Sequence, residues 1–277
     1  MSGVDDHSAW VGRSEEAADV AAAGPIRRLA ALLDHETPPW APCVVPPLGH
    51  WLYFLPEARQ SSLGPDGHPA RGGFLPPVAL PRRMWAGGRI AFFAPIPFDA
   101  PMTRRSTIAS VTPKTGASGP MVFVVVRYEI FAGGQMAISE EQDIVYRGAG
   151  RPGPSPSAPE AESDFHRLVS LGPVALFRYS ALTFNGHRIH YDRNYATKEG
   201  YPDLVVHGPL VATLLVDHLL RWRPAAPLTR FVYRARAPLF DSGAFALNLR
   251  RTESGANLWA QAPGGPVNFE ADATIAE

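Results

Sequence analysis

"HGPLVATLLVDHLLRW", residues 207–222, sets Leu210, Leu214, Leu215, Leu219 and Leu220 at helical spacing behind Pro209, which suits a first helical turn. The apolar stripe is too broad for a helix lying on a surface, so it predicts a helix wrapped by other structure. Four runs downstream read as strands: "TRFVYRARAPLF" (229–240), "GAFALNLRRT" (243–252), "ANLWAQAP" (256–263) and "VNFEADATIA" (267–276). One apolar helix followed by several antiparallel strands makes an α+β unit in which a curled sheet grips the helix.

The first half of the chain follows the same order. "DVAAAGPIRRLAALLDHE" (19–36) reads as an amphipathic helix carrying Ile26, Leu29, Leu32 and Leu33. The proline- and glycine-rich span 37–88 is too punctuated for long elements. Strand-like runs follow at 88–96, 103–114, 120–133 and 135–147. "GRPGPSPSAPEAES" (150–163) has little to bury and a backbone unsuited to a ladder, so it reads as a linker. The expected organisation is therefore an α+β fold of two units, 1–149 and 164–277, joined by 150–163. The duplication is one of element order, without a strong residue-by-residue repeat.

Composition narrows the function. Hydrophobic residues are 45% of the 277, and 26 basic residues balance 26 acidic ones. A folded core is expected, with no global charge to attract nucleic acid or an anionic membrane. The single cysteine, Cys43, has no basic neighbour and reads as a buried, unreactive thiol. The start lacks a hydrophobic signal core, and no apolar run approaches the roughly 20 residues of a membrane span. A soluble cytoplasmic protein is expected.

Chemistry concentrates in "TFNGHRIHYDRNYA" (183–196). His187, His190 and Asp192 have a spacing that could hold a metal, but β-branched and aromatic neighbours fit a ligand helix poorly and no fourth group stands out. No metal is expected. A hydrogen-bonded support in the core is the bland reading of each polar residue taken alone. Acid–base chemistry is the third reading: His190 titrates near neutrality, and Asn185 could orient a water. Gly208, at the start of the 207–222 helix, would add unpaired backbone N–H groups suited to an anion.

"FRYSALTFNGHRIHYDRNYA" with "EGYPDLVVHGPL" resembles the hydratase motif of the MaoC-like enoyl-CoA hydratases, which have the hotdog fold. In closer detail the chain resembles the double-hotdog hydroxyacyl-thioester dehydratase type 2 group, which includes mesaconyl-C4-CoA (3-methylfumaryl-CoA) and itaconyl-CoA hydratases. "LPRRMWAGGRIAF", "TIASVTPKTGASGPMVFVVVRYEIF" and "ISEEQDIVYR" resemble that group's N-terminal hotdog domain, so the likeness covers nearly the whole chain.

The resemblance implies a double hotdog whose first unit shapes an acyl pocket and whose second is catalytic. It implies hydration of an α,β-unsaturated acyl-CoA, with a short branched dicarboxylic acyl group. Fatty-acid 3-hydroxyacyl-thioester dehydration, a hotdog thioesterase and a non-catalytic acyl-CoA binder are the alternatives. It places the catalytic histidine on His190 and the oxyanion glycine on Gly208. Asn185 falls where the better-known members carry an aspartate, which puts a two-residue proton shuttle in doubt. His187 and Arg188 replace an asparagine–proline pair and are assigned, with His207, to substrate binding. Arg82, Arg83, Arg104, Arg105 and Arg178 are further candidates for coenzyme A phosphates or a free carboxylate. Coenzyme A enters as part of the substrate, no separate cofactor is expected, and association into a homodimer is implied by analogy.

Overall fold

A computed structural model describes residues 7–116, 119–148 and 162–276. The first half contributes β1 (Ser14–Val20), α1 (Ala23–Leu32), β2 (Arg82–Phe92), β3 (Pro101–Gly116), β4 (Gly119–Ala132) and β5 (Gln135–Arg147). The second contributes β6 (Phe165–Val169), α2 (Pro173–Leu182), α3 (Arg193–Lys198), α4 (Gly208–Trp222), β7 (Leu228–Ala235), β8 (Phe245–Thr252), β9 (Gly255–Gln261) and β10 (Val267–Ile275). All ten strands form one sheet in the order β1-β3-β4-β5-β2-β7-β10-β9-β8-β6.

That order contains an internal symmetry. Read outward from the centre, each half runs through its second, fifth, fourth, third and first strands: 2-5-4-3-1 on one side and 7-10-9-8-6 on the other. The halves join where β2 pairs antiparallel with β7, from Gly87 opposite Arg234 to Ala91 opposite Arg230. The fold is α+β, two units of one topology, as the element order predicted.

The α4 helix is enclosed as its composition requires. Every residue from Leu210 to Leu220 is buried, Thr213, Asp217 and His218 included. Each leucine so covered contributes about 1.5–3 kcal/mol relative to exposure. Asp217 is affordable because three partners meet it: His35 Nε2 at 2.6 Å, Arg167 at 2.7 Å and Arg221 at 2.9 Å. A buried carboxylate without such donors would destabilise the fold.

Three readings need correction. The helix read over 19–36 is shorter, Ala23–Leu32: Asp19 and Val20 end β1, which pairs with β3 from Ser14 opposite Thr107 to Val20 opposite Pro101. This strand lies at the sheet edge and is mostly exposed, so it lacks the apolar alternation of a half-buried strand. Strand β2 starts at Arg82, inside the span read as irregular. Cys43 is exposed rather than buried, with a left-handed backbone (φ 60°). Of the expected linker, only Glu162 and Ser163 are described; the rest lies outside the described residues.

Candidate active site

The α1 helix leaves part of its own sheet uncovered. Ile26 and Leu29 pack in the main core with Met102, Ile130 and Ile138, whereas Ile108, Val122, Val124, Val126 and Tyr146 cluster separately with Val78. Between these patches opens a cavity of about 1420 Å³. First-half residues Tyr128, Glu140, Gln142 and Ile144 line it, and so do Asn185, His187, His190 and Gly208 from the second half.

The second-half wall is built by local hydrogen bonds. After α2, Phe184 takes a left-handed conformation (φ 48°), and the Asn185 N–H donates to Ser180 O at 2.8 Å. The His187 N–H donates to Asn185 Oδ1 at 3.0 Å, closing a turn of the kind asparagine favours. A short 3-10 turn, Arg188–His190, then presents His190. Val205 returns alongside, its N–H donating to Ile189 O at 3.0 Å.

His190 Nδ1 lies 2.7 Å from Val205 O. A carbonyl only accepts, so Nδ1 carries the proton and Nε2 keeps its lone pair. Burial pushes the ring's pKa down to about 4, against the Val205 bond and aided by His68. The imidazole is therefore neutral at physiological pH, the state of a general base. Its face stacks on His207, with centroids 3.6 Å apart.

His207, assigned with His187 and Arg188 to substrate binding, does not itself line the cavity. It is the buried N-cap residue of α4, with Nε2 2.8 Å from Ser180 Oγ, and it supports the His190 ring from behind. Gly208 follows as the first residue of α4 and does line the cavity. First-turn N–H groups have no acceptor within a helix and carry its positive dipole end. A Cβ at Gly208 would lie 2.8 Å from the Trp85 ring, so this close approach needs glycine. Trp85 is in turn stacked on Tyr233 at 4.6 Å.

Arg188 is engaged by neighbouring groups. It is outside the cavity lining; it forms an ion pair with Asp192 at 2.6 Å, donates to Pro65 O at 3.1 Å and covers the Tyr195 ring. Among the other arginines proposed, Arg82, Arg83 and Arg104 line the cavity, joined by Arg147 and Arg236, while Arg105 and Arg178 do not.

Sequence reasoning missed two groups from the first half. Glu140 is buried at the cavity wall and receives hydrogen bonds from His50 at 2.9 Å, Trp51 at 3.0 Å and Gln142 at 2.8 Å. Burial would raise its carboxyl pKa, but the His50 bond and these donors hold it below its ordinary value. The second group is Asp66 and His68, from the span dismissed as punctuation. His68 Nδ1 lies 3.0 Å from Asp66 Oδ2, and the His68 ring sits 4.1 Å from that of His187. The two loops meet closely: the Arg188 N–H donates to Asp66 O at 2.9 Å, and a Cβ on Gly67 (φ +87°) would strike Gly186 O at 1.8 Å. Only a glycine fits there.

Asp66, His68 and His187 also bring one potential ligand atom each within 4.8 Å of one another. The set of His187, His190 and Asp192, set aside as a metal site in the sequence, is not gathered into one cluster, since Asp192 caps α3 through Tyr195 N–H and pairs with Arg188. In the Asp66 trio the His68–Asp66 hydrogen bond already occupies one carboxylate oxygen and one ring nitrogen. The trio fits a hydrogen-bonded dyad beside a third ring better than a coordination shell.

The family model for hydroxyacyl-thioester dehydratase type 2 matches residues 48–241. The chain belongs to that family. It is also 48% identical over 271 residues to the mesaconyl-C(4)-CoA hydratase of Chloroflexus aurantiacus, covering 96% of each. A solved MaoC-like dehydratase superposes with a TM-score of 0.72 at 15% identity, covering 98% of this chain and 99% of that one. A Mycobacterium tuberculosis protein described as a double hotdog superposes with a TM-score of 0.56 at 11% identity, over 96% of each chain. The two-unit topology of this family member is thus a double hotdog. No helix among its described residues is long and apolar enough to cross a membrane.

Proposed function

We propose that this chain is a hydro-lyase that reversibly hydrates an α,β-unsaturated acyl-CoA thioester. The observation carrying this reading is the 48% identity to a mesaconyl-C(4)-CoA hydratase across 96% of both chains. The cavity supports it, with a neutral imidazole and the opening residue of a long helix on one wall. The acyl group proposed is short, branched and dicarboxylic. Arg82, Arg83, Arg104 and Arg147 give the cavity positive side chains suited to a free carboxylate or to coenzyme A phosphates.

In the proposed reaction the thioester carbonyl rests at the Gly208 N–H. His190 Nε2 takes a proton from water, whose oxygen bonds to the β-carbon. The π pair moves to the α-carbon and carbonyl oxygen, where the helix terminus stabilises it, and the imidazolium returns its proton to the α-carbon. A single oxyanion donor contributes about 3–4 kcal/mol and a positioned base about 10²–10⁴ in rate. Only the coenzyme A carried by the substrate is required. Dehydration of a 3-hydroxyacyl thioester uses the same groups in reverse, and the family description favours it as the second reading.

Purified protein should be assayed on mesaconyl-, itaconyl-, crotonyl- and longer enoyl-CoA. Loss of enoyl absorbance without free CoA is the expected result, fastest with a branched dicarboxylic substrate. Release of free CoA would instead identify a thioesterase, and binding without turnover a carrier of acyl-CoA.

A further inference from the structure

Asn185 poses a problem for water activation. Its Oδ1 accepts the His187 N–H, so the amide closes the loop rather than standing wholly available to a substrate water. A water attacking the β-carbon has two O–H groups to orient, and His190 Nε2 accounts for one. The first half supplies a second acceptor. The Asp66 carboxyl, despite burial, is held well below the usual carboxylate range by side-chain and backbone hydrogen bonds from His68. It is ionised, so the group shared with His68 Nδ1 must be an N–H, and the lone pair of His68 is on Nε2. Burial lowers the His68 pKa, against its Asp66 partner, which keeps the ring an acceptor.

His68 and Asp66 line the same cavity as His190, and the rings run His68–His187–His190 with successive centroid separations of 4.1 and 5.3 Å. A charge on His68 is felt at His190, as expected of neighbours in one low-dielectric site. The loop cannot drift, because Gly67 is seated against Gly186 and two hydrogen bonds tie Arg188 to Pro65 and Asp66.

We infer that His68, oriented by Asp66, is a catalytic residue contributed by the first half: its Nε2 accepts the second O–H of the attacking water. The water then donates one hydrogen bond to His190 and one to His68. Only the His190 bond becomes a proton transfer; the other stays on the hydroxyl oxygen as it bonds to the β-carbon, and the proton count of the reaction is unchanged. Asp66 is a positioning residue, fixing which ring nitrogen faces the water. The pair takes the place of the carboxylate that related enzymes would carry at position 185. This rests on the hydratase reading.

The test compares His68→Ala, His68→Gln, Asp66→Asn and the double variant His68→Ala/Asn185→Asp with wild type on the best enoyl-CoA of the panel. His68→Ala should lower kcat about 10–100-fold, as misplacement of a reactant does, with KM changed less than about threefold. His68→Gln, which retains an acceptor oxygen, should recover part of that loss, and Asp66→Asn should show a smaller fall in kcat. The double variant should regain about tenfold, since aspartate keeps one oxygen for the His187 N–H and offers the other to water. The inference is overturned by a His68→Ala protein with wild-type kcat, by a His68→Gln protein no better than His68→Ala, by a loss confined to KM, or by no recovery in the double variant. Stoichiometric zinc in the wild type, with chelation abolishing turnover, would also overturn it and make the trio a metal site. A wild-type protein inactive on every enoyl thioester would instead remove the hydratase reading, and this inference with it.

Discussion

The two halves share a strand order but not the long helix. In the second, α4 runs 15 residues, about 22 Å, and is buried from Leu210 to Leu220. In the first, α1 has 10 residues, about 15 Å, and matches α2, each following its half's first strand; between α1 and β2, where α4 would have its counterpart, only 3-10 turns occur. The α4 helix fills its unit, and its first residue, Gly208, lines the cavity. With no counterpart to α4, the first half leaves the wall of Tyr128, Glu140, Gln142 and Ile144 facing a void. On the proposed reading, two copies of one topology thus divide the work: the second holds the helix end and the base His190, and the first opens the space and adds His68.

The strongest way to break that division is at the base. His190→Ala should lower turnover by about 10²–10⁴ while leaving thioester affinity nearly unchanged. In the wild type, kcat/KM should hold level as pH falls from 7 toward 5 and then drop through about 4, where the ring gains a proton and its lone pair is lost. Unaltered turnover in the variant would move the chemistry out of the second half altogether.

A smaller effect is expected at the seam between the halves. Gly208→Ala would put a methyl 2.8 Å from the Trp85 indole, a rigid ring stacked on Tyr233. The indole must shift, at a cost of about 1–3 kcal/mol in stability, and the helix terminus shifts with it. Thermal unfolding should show the loss, and Gly208→Ala/Trp85→Leu should restore stability by making room. Equal instability in the double variant would mean that the helix start, not the indole, resents the methyl.

What was legible in the sequence follows the same division. The α4 helix declared itself because eleven successive buried positions leave a dense apolar record. His190 and Gly208 were singled out through a motif whose residues lie close in sequence, and both line the cavity. Strand β1 was not, because "SEEAADV" is an exposed edge whose alanines look helical. Asp66 and His68 were invisible for a different reason: they reach the site through a loop contact between Gly67 and Gly186, over a hundred residues apart. Proximity in sequence misled at Arg188, which lies two residues from His190 and turns to Asp192 instead. His207 likewise sits beside Gly208 yet faces Ser180 in the interior.

The smallest predicted effects compare one arginine from each half. Arg83, on β2 of the first half, lines the cavity and lies near enough to His68 and His187 for its charge to lower both pKa values. Losing a guanidinium there should weaken binding of a substrate carboxylate by about 1.5–3 kcal/mol, the worth of a charge-assisted hydrogen bond. Arg83→Ala should therefore raise KM for a dicarboxylic enoyl-CoA about tenfold or more, and KM for crotonyl-CoA much less. Arg188 of the second half is engaged by Asp192 in a solvent-screened pair, which contributes little to stability. Arg188→Ala should leave KM for both substrates within about twofold, with a thermal shift at the edge of detection. The reverse result, with Arg188 setting KM and Arg83 silent, would place carboxylate recognition in the second half and erase the functional difference between the two units.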